Sequence, residues 1–270
     1  MKIINWIRSR PVASYFFLVF LISWGGSILG GGAYLLQRKA ITLKDTLPMG
    51  VAMIGAPTLV GITMTYICDG RQGLRDLFAR LTKWRIPGRW YATLLIFPTL
   101  ILIVLIPLSI LVTPKLAPTF FPIGILMGLV AGFFEEIGWT GFAYPKMRLR
   151  LSVLQASILL GLIHAFWHFA ADFLGNYLTF GLNWFLYFAA FFVFVVALRI
   201  IIAWVYENTG SLLLACLIHA SSSGFLGVLV PITNGGEIWP IFYAVYAILI
   251  WLVAAIIILR NEPQLVEKPA

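Results

Sequence analysis

The sequence predicts an all-α membrane protein with about eight transmembrane helices and a cytoplasmic amphipathic helix. Hydrophobic residues make up 61% of the 270 residues and charged residues only 11%. The mean hydropathy is +0.97. A soluble globular chain has roughly half apolar and a quarter charged residues. The composition therefore excludes a soluble enzyme, a disordered chain and a disulfide-rich scaffold.

Eight stretches are long enough to cross the hydrocarbon core, which takes about 20 apolar residues in a helix. We detect no internal repeat and no second domain in the sequence, so we expect residues 1–270 to form a single transmembrane domain. The first stretch follows a basic leader, but it exceeds the usual apolar region of a signal peptide, about 7–15 residues, and we interpret it as a retained anchor. The predicted spans are residues 11–36, 47–68, 90–112, 119–143, 152–173, 182–206, 211–230 and 239–259.

The positive charges predict the orientation, because short cytoplasmic loops carry an excess of Lys and Arg. With the N-terminus in the cytoplasm, Arg199 counts as cytoplasmic, and both termini lie inside. The net charge of +9 then indicates anionic lipid headgroups, not nucleic acid, as the partner. Of the 19 Lys and Arg, this arrangement leaves outside only Arg38, Lys39, Lys44 and Lys115.

Residues 70–89, between the second and third spans, differ from the spans in pattern. Apolar residues recur there at helical spacing, with Arg, Asp and Lys between them. This pattern predicts an amphipathic helix at the cytoplasmic surface, with a basic loop as the alternative. The apolar residues are Leu74, Leu77, Phe78 and Leu81.

Two glycine pairs with four-residue spacing fall inside predicted spans, Gly26 with Gly30 and Gly128 with Gly132. Such pairs let helix backbones approach closely in a membrane. They are also common by chance, so the pattern alone does not assign a packing partner.

Ionisable side chains inside spans are candidates for function, because a charge at the centre of a span costs about 2.5–3.5 kcal/mol on the insertion scale. All three histidines of the chain are among them. The candidates are Glu135, Glu136, His164, His168, Asp172, Arg199 and His219.

Glu135 and Glu136 are adjacent, so on a helix their side chains point about 100° apart. We expect one carboxylate to face a reaction site and the other to face a supporting partner; the alternative is a buried pair that ties helices together. His164, His168 and Asp172 recur every four residues and share one helix face.

The carboxylate of Asp172 could orient the two imidazoles. The spacing also suits a metal, although no glutamate follows the first histidine as in a zincin. The alternative is a pair of satisfied core histidines. His219 is followed four residues later by Ser223, whose hydroxyl could donate to an oxyanion or bond back to its own helix.

Together these groups could form a minimal hydrolase. A carboxylate and an imidazole can hold and deprotonate a water, and a second imidazole or a hydroxyl can stabilise the resulting oxyanion. The same groups would also suit a proton relay or an ion path.

At these residues the chain resembles the CAAX-processing and bacteriocin-processing (CPBP or Abi) family of intramembrane endopeptidases. The motifs of that family are EExxxR, FxxxH, and a histidine followed four residues later by Asn or Asp. In this chain residues 135–140 read EEIGWT, residues 164–168 read HAFWH and residues 219–223 read HASSS. The resemblance covers about residues 73–223.

The resemblance implies that Glu135 activates water, that His168 works with it and that His219 stabilises the oxyanion, with Glu136 as the second glutamate. It further implies cleavage of a peptide bond near the membrane interface, in a peptide or protein substrate that can itself be membrane-attached, and a location in a bacterial inner membrane. The family is described without a metal, but Glu135, His168 and His219 would also suit zinc, so both chemistries stay open.

Three positions depart from the family motifs. Thr140 stands in place of arginine, so the glutamates lack a charge partner that His164 could partly replace. His164 itself stands in place of phenylalanine, and Ser223 in place of Asn or Asp. These departures keep a second hypothesis open, a non-catalytic bacteriocin-immunity or scaffold protein on the same fold. A proton-coupled transporter is a third, which the lack of visible inverted repeats disfavours.

Overall fold

In the computed structural model, residues 2–39, 41, 46–231, 236 and 238–267 are described. Within these ranges, eight helices are long and apolar enough to cross a membrane. The prediction of an all-α polytopic membrane protein is therefore confirmed. Lys44, one of the charges expected outside, lies beyond the described ranges.

The spanning helices follow one another with short connections. The segment Gly88–Leu95, a 3-10 helix, leads into α3, and α4 continues through a π-helical turn, Trp139–Ala143, into the short helix Tyr144–Arg148. We number the helices α1 (Pro11–Leu36), α2 (Thr46–Leu81), α3 (Ile96–Leu111), α4 (Ile123–Gly138), α5 (Val153–Phe180), α6 (Asn183–Thr209), α7 (Leu212–Leu229) and α8 (Trp239–Arg260).

Helix α2 contains the predicted surface helix. Its backbone leaves the helical conformation at Gly70, with φ 67° and ψ −155°, a region that glycine adopts without steric cost. Residues 71–81 therefore form a separate helix, with Leu77 buried against the bundle and Phe78 exposed. The amphipathic helix is confirmed, but its predicted extent to residue 89 is wrong. The chain leaves the helix after Leu81 and turns before Pro87, which has no N–H to donate to a helix.

Helices α4 and α7 cross with their backbones in contact. A Cβ atom on Gly128 would overlap the carbonyl of Ala220 and the backbone of Gly224. The close approach predicted for Gly128 and Gly132 is thus present, between α4 and α7. Because Glu136 continues the same four-residue repeat, this stripe of small residues directs Glu136 toward α7.

Helices α1, α2 and α4 approach one another in the same way. A Cβ atom on Gly30 would lie 2.9 Å from Met49 Cγ, which joins α1 to α2. A Cβ atom on Gly61 of α2 would lie 2.8 Å from the Cα atom of Gly138, at the end of α4. These crossings fix the end of α4 that carries the paired glutamates.

Candidate active site

Four helices bring the intramembrane ionisable side chains into one buried cluster. Helix α4 contributes Glu135 and Glu136, α5 contributes His164, α6 contributes Arg199 and α7 contributes His219. Each of these side chains is buried, and the most exposed, His219, has a relative accessibility of 5%. The cluster thus lies inside the bundle and not on its lipid-facing surface.

The Glu136 carboxylate has four donors. The Arg199 guanidinium binds both oxygens, with Nη1 at 2.8 Å from Oε2 and Nη2 on Oε1. The Thr140 hydroxyl donates to Oε2, and His219 Nδ1 lies 2.6 Å from Oε1. A carboxylate accepts about four hydrogen bonds, so Glu136 has no free lone pair for a water or a substrate.

The Glu135 carboxylate has a different environment. It accepts a hydrogen bond from His164, whose Nε2 lies 3.0 Å from Oε2. His219 Nε2 is 3.8 Å from the same oxygen. Of the two adjacent glutamates, Glu135 therefore retains the capacity to accept a proton.

The position of the hydrogen on His164 follows from its neighbours. Arg199 Nε lies 3.1 Å from His164 Nδ1, and a guanidinium nitrogen can only donate. His164 Nδ1 must then accept, so the hydrogen of the neutral ring is on Nε2, where it is donated to Glu135. Arg199, His164 and Glu135 thus form a directed chain of hydrogen bonds.

His168 lies one turn further along α5 and is half-buried. Its ring centroid is 5.1 Å from that of His164. The ring also packs against Trp167 and Phe191, with centroid distances of 4.7 Å and 5.1 Å. Ligand-type atoms of Glu135, His164 and His168 all lie within 4.8 Å of one another. A water with hydrogen bonds of about 2.8 Å to both Glu135 and His168 can span such a gap.

The same three residues are the group in the described part of the chain that could hold a metal ion. The group contains His164, where the sequence had suggested His219. A metal-bound histidine offers the lone pair of one ring nitrogen and donates the hydrogen of the other to an acceptor. Here Arg199 donates to His164 Nδ1, so no lone pair is left on Nε2. The hydrogen-bonding pattern therefore does not fit a metal at this group.

Two predicted supporting residues, Ser223 and Asp172, bind partners other than the side chains of the glutamate–histidine cluster. The Ser223 hydroxyl donates to the His219 carbonyl at 2.8 Å, so it bonds back to its own helix. The Asp172 carboxylate accepts from Trp184 Nε1 at 2.7 Å and from the Tyr187 hydroxyl at 2.8 Å. In this arrangement Asp172 ties α5 to α6.

The helices that form this cluster also carry a family match. Residues 117–225 match the Type II CAAX prenyl endopeptidase Rce1-like family. This match supports the resemblance to the CPBP family. The matched segment holds both glutamates, all three histidines and Arg199.

A curated relative matches this chain over a longer stretch. It is a CAAX prenyl protease 2 from Methanococcus maripaludis, 32% identical over 159 residues. The alignment covers 55% of this chain and 53% of the relative. The match thus spans about half the length of the relative.

Arg199 is the residue of this candidate site that sequence reasoning misplaced. Counting it with the cytoplasmic charges was wrong, because it is 1% exposed and paired with Glu136 inside the bundle. The available signal was its position in the apolar run of α6, since an intramembrane charge needs a buried partner. The expectation that His164 replaces the missing motif arginine was also incomplete. His164 binds Glu135, while the cation itself comes from α6.

A π-helical turn, Trp139–Ala143, directly follows the paired glutamates. Such turns free backbone carbonyls and occur frequently at functional sites. Arg80 donates from Nη2 to the Gly141 carbonyl at 3.0 Å and from Nη1 to the Tyr206 hydroxyl at 2.5 Å. The surface helix of residues 71–81 is therefore joined to the turn that carries the site.

Proposed function

We propose that this protein is an intramembrane endopeptidase that hydrolyses a peptide bond near the membrane interface. One observation carries the proposal. Glu135 is a buried carboxylate that accepts from His164, and its ligand atom lies within 4.8 Å of a ring nitrogen of His168. Carboxylate and imidazole groups in that relation suit general base catalysis. The family match over residues 117–225 supports the same activity.

In the proposed mechanism, Glu135 and His168 hold a water, and Glu135 takes one of its protons. The water oxygen forms a bond to the peptide carbonyl carbon. When the carbon–nitrogen bond breaks, Glu135 returns the proton to the leaving nitrogen. No oxidant or other reactant is needed.

We assign oxyanion stabilisation to His219 in its doubly protonated form. Its Nδ1 hydrogen is donated to Glu136, and its Nε2 hydrogen is then free for the developing negative charge. Ser223 does not contribute in this scheme, because its hydrogen is donated to its own helix.

The proposed substrate is a membrane-attached peptide or protein. The relative is named CAAX prenyl protease 2, so a prenylated C-terminal peptide is the first class to test. We further propose that the protein resides in the cell membrane with both termini in the cytoplasm, from the distribution of Lys and Arg.

The decisive experiment compares new peptide termini in membranes from cells that express wild type or Glu135→Gln at matched levels. We expect a set of termini to disappear in Glu135→Gln, because the amide cannot take a proton from water. The matched control is Glu262→Gln, which changes an exposed glutamate outside the bundle and should leave the termini unchanged. Identical termini in all three samples would contradict proteolysis and favour the non-catalytic immunity or scaffold hypothesis.

Cleavage is also expected to survive metal removal. Because Arg199 donates to His164 Nδ1, His164 Nε2 carries a hydrogen and offers no lone pair to a metal. The test is the rate of cleavage of a prenylated CAAX peptide by protein in detergent micelles, before and after dialysis against 1,10-phenanthroline. A loss of activity that added zinc restores would refute this expectation.

A further inference from the structure

Arg199 contacts three residues of the buried cluster, although it lies outside the three family motifs. Its Nη atoms bind both oxygens of Glu136, and its Nε donates to His164. Nη2 is also 3.3 Å from His219 Nδ1. A single guanidinium on α6 thus contacts residues from α4, α5 and α7.

Thr140 stands where the family motif has arginine, so this position carries no positive charge. Thr140 contributes a hydroxyl to Glu136 from the same helix, four residues on. A hydroxyl carries no charge and cannot reach a second helix. The guanidinium that the motif lacks at Thr140 comes from Arg199 instead.

We infer that Arg199 is a positioning residue that orients the water-activating Glu135 through His164. The inference rests on the proposed function of this site. Because Arg199 fixes the hydrogen of His164 on Nε2, the ring can donate only toward Glu135. Without that fixed donor, His164 could adopt the opposite tautomer and present a lone pair to the carboxylate. Glu135 would then lose the hydrogen bond from His164.

Replacing Arg199 by lysine tests the effect of its hydrogen bonds separately from the effect of its positive charge. A lysine at this position keeps a positive charge for Glu136, but its single ammonium cannot bind both carboxylate oxygens and the His164 ring at once. For Arg199→Lys we therefore expect a folded protein with a kcat about 10–100-fold lower and an unchanged KM, as for other residues that orient a ligand through hydrogen bonds. The matched control is Arg75→Lys on the exposed surface helix.

The role of His164 as the intermediary is tested by a double-mutant cycle. If Arg199 acts through His164, Arg199→Lys should lower kcat little further in a His164→Phe background. Additive losses, or a wild-type kcat in Arg199→Lys, would overturn the inference. If Arg199→Lys does not fold, His164→Phe alone decides, because it keeps the Arg199–Glu136 pair; a wild-type kcat in that variant overturns the inference.

A second measurement does not depend on proteolysis. The chain has three histidines, so nitrogen-15 NMR of histidine-labelled protein in micelles can assign each ring by substitution. We expect His164 to show a protonated Nε2 and an unprotonated Nδ1, and a mixture of tautomers in Arg199→Lys. An unchanged tautomer in Arg199→Lys would refute positioning, whereas failure of wild type to cleave any substrate would refute only the proposed function.

Discussion

Glu136→Gln is expected to unfold at a much lower temperature than wild type, whereas Glu135→Gln should unfold at or above the wild-type temperature. Glu136 forms a fully buried pair with Arg199 and accepts from four donors. Removing one partner of a buried ion pair costs about 3–5 kcal/mol, because the other charge remains without compensation. The partner of Glu135 is the His164 ring and not a guanidinium, so losing its charge removes less favourable interaction.

Thermal unfolding of both variants in one detergent measures this contrast between adjacent residues. The double variant Glu136→Gln/Arg199→Gln serves as the control, because it removes both charges together and should recover part of the loss. The opposite ranking of Glu135→Gln and Glu136→Gln would show that the ion pair involves the other glutamate. Equal unfolding temperatures for all variants would show that the pair does not stabilise the fold.

The transmembrane helices could be predicted from sequence because their signal is local. The length of an apolar run is set by the thickness of the bilayer, and predicted span 11–36 coincides with α1, Pro11–Leu36. The turn at Trp139–Ala143 could not be predicted in this way. It depends on contacts from elsewhere, such as the bond from Arg80 to the Gly141 carbonyl.

The candidate site, too, could be predicted only as far as local spacing determines it. Spacing within a helix predicted that His164 and His168 share a face and that the two glutamates differ in direction. Spacing within one helix does not give its rotation relative to another helix. That rotation determines which of the two glutamates pairs with Arg199. Motif comparison identified a missing cation at Thr140, but it compares one position at a time. Motif comparison therefore cannot identify a cation that comes from α6.

We expect most molecules of the Gly128→Val variant not to fold. A Cβ atom at this position would overlap the Ala220 carbonyl and lie 2.6 Å from the Gly224 backbone nitrogen. Overpacking costs about 1–3 kcal/mol where side chains can adjust, and here the atoms that would be struck belong to the backbone of α7. We expect a cost at or above the upper end of that range.

The control for this prediction is Gly175→Val on α5, where a Cβ atom meets nothing within 4 Å. Size-exclusion chromatography of fluorescently tagged protein in detergent should show a sharp monodisperse peak for Gly175→Val and aggregated material for Gly128→Val. A monodisperse Gly128→Val protein would mean that α4 and α7 do not cross this closely. Their crossing then could not hold Glu136 2.6 Å from His219, because both contacts depend on the same approach of the two backbones.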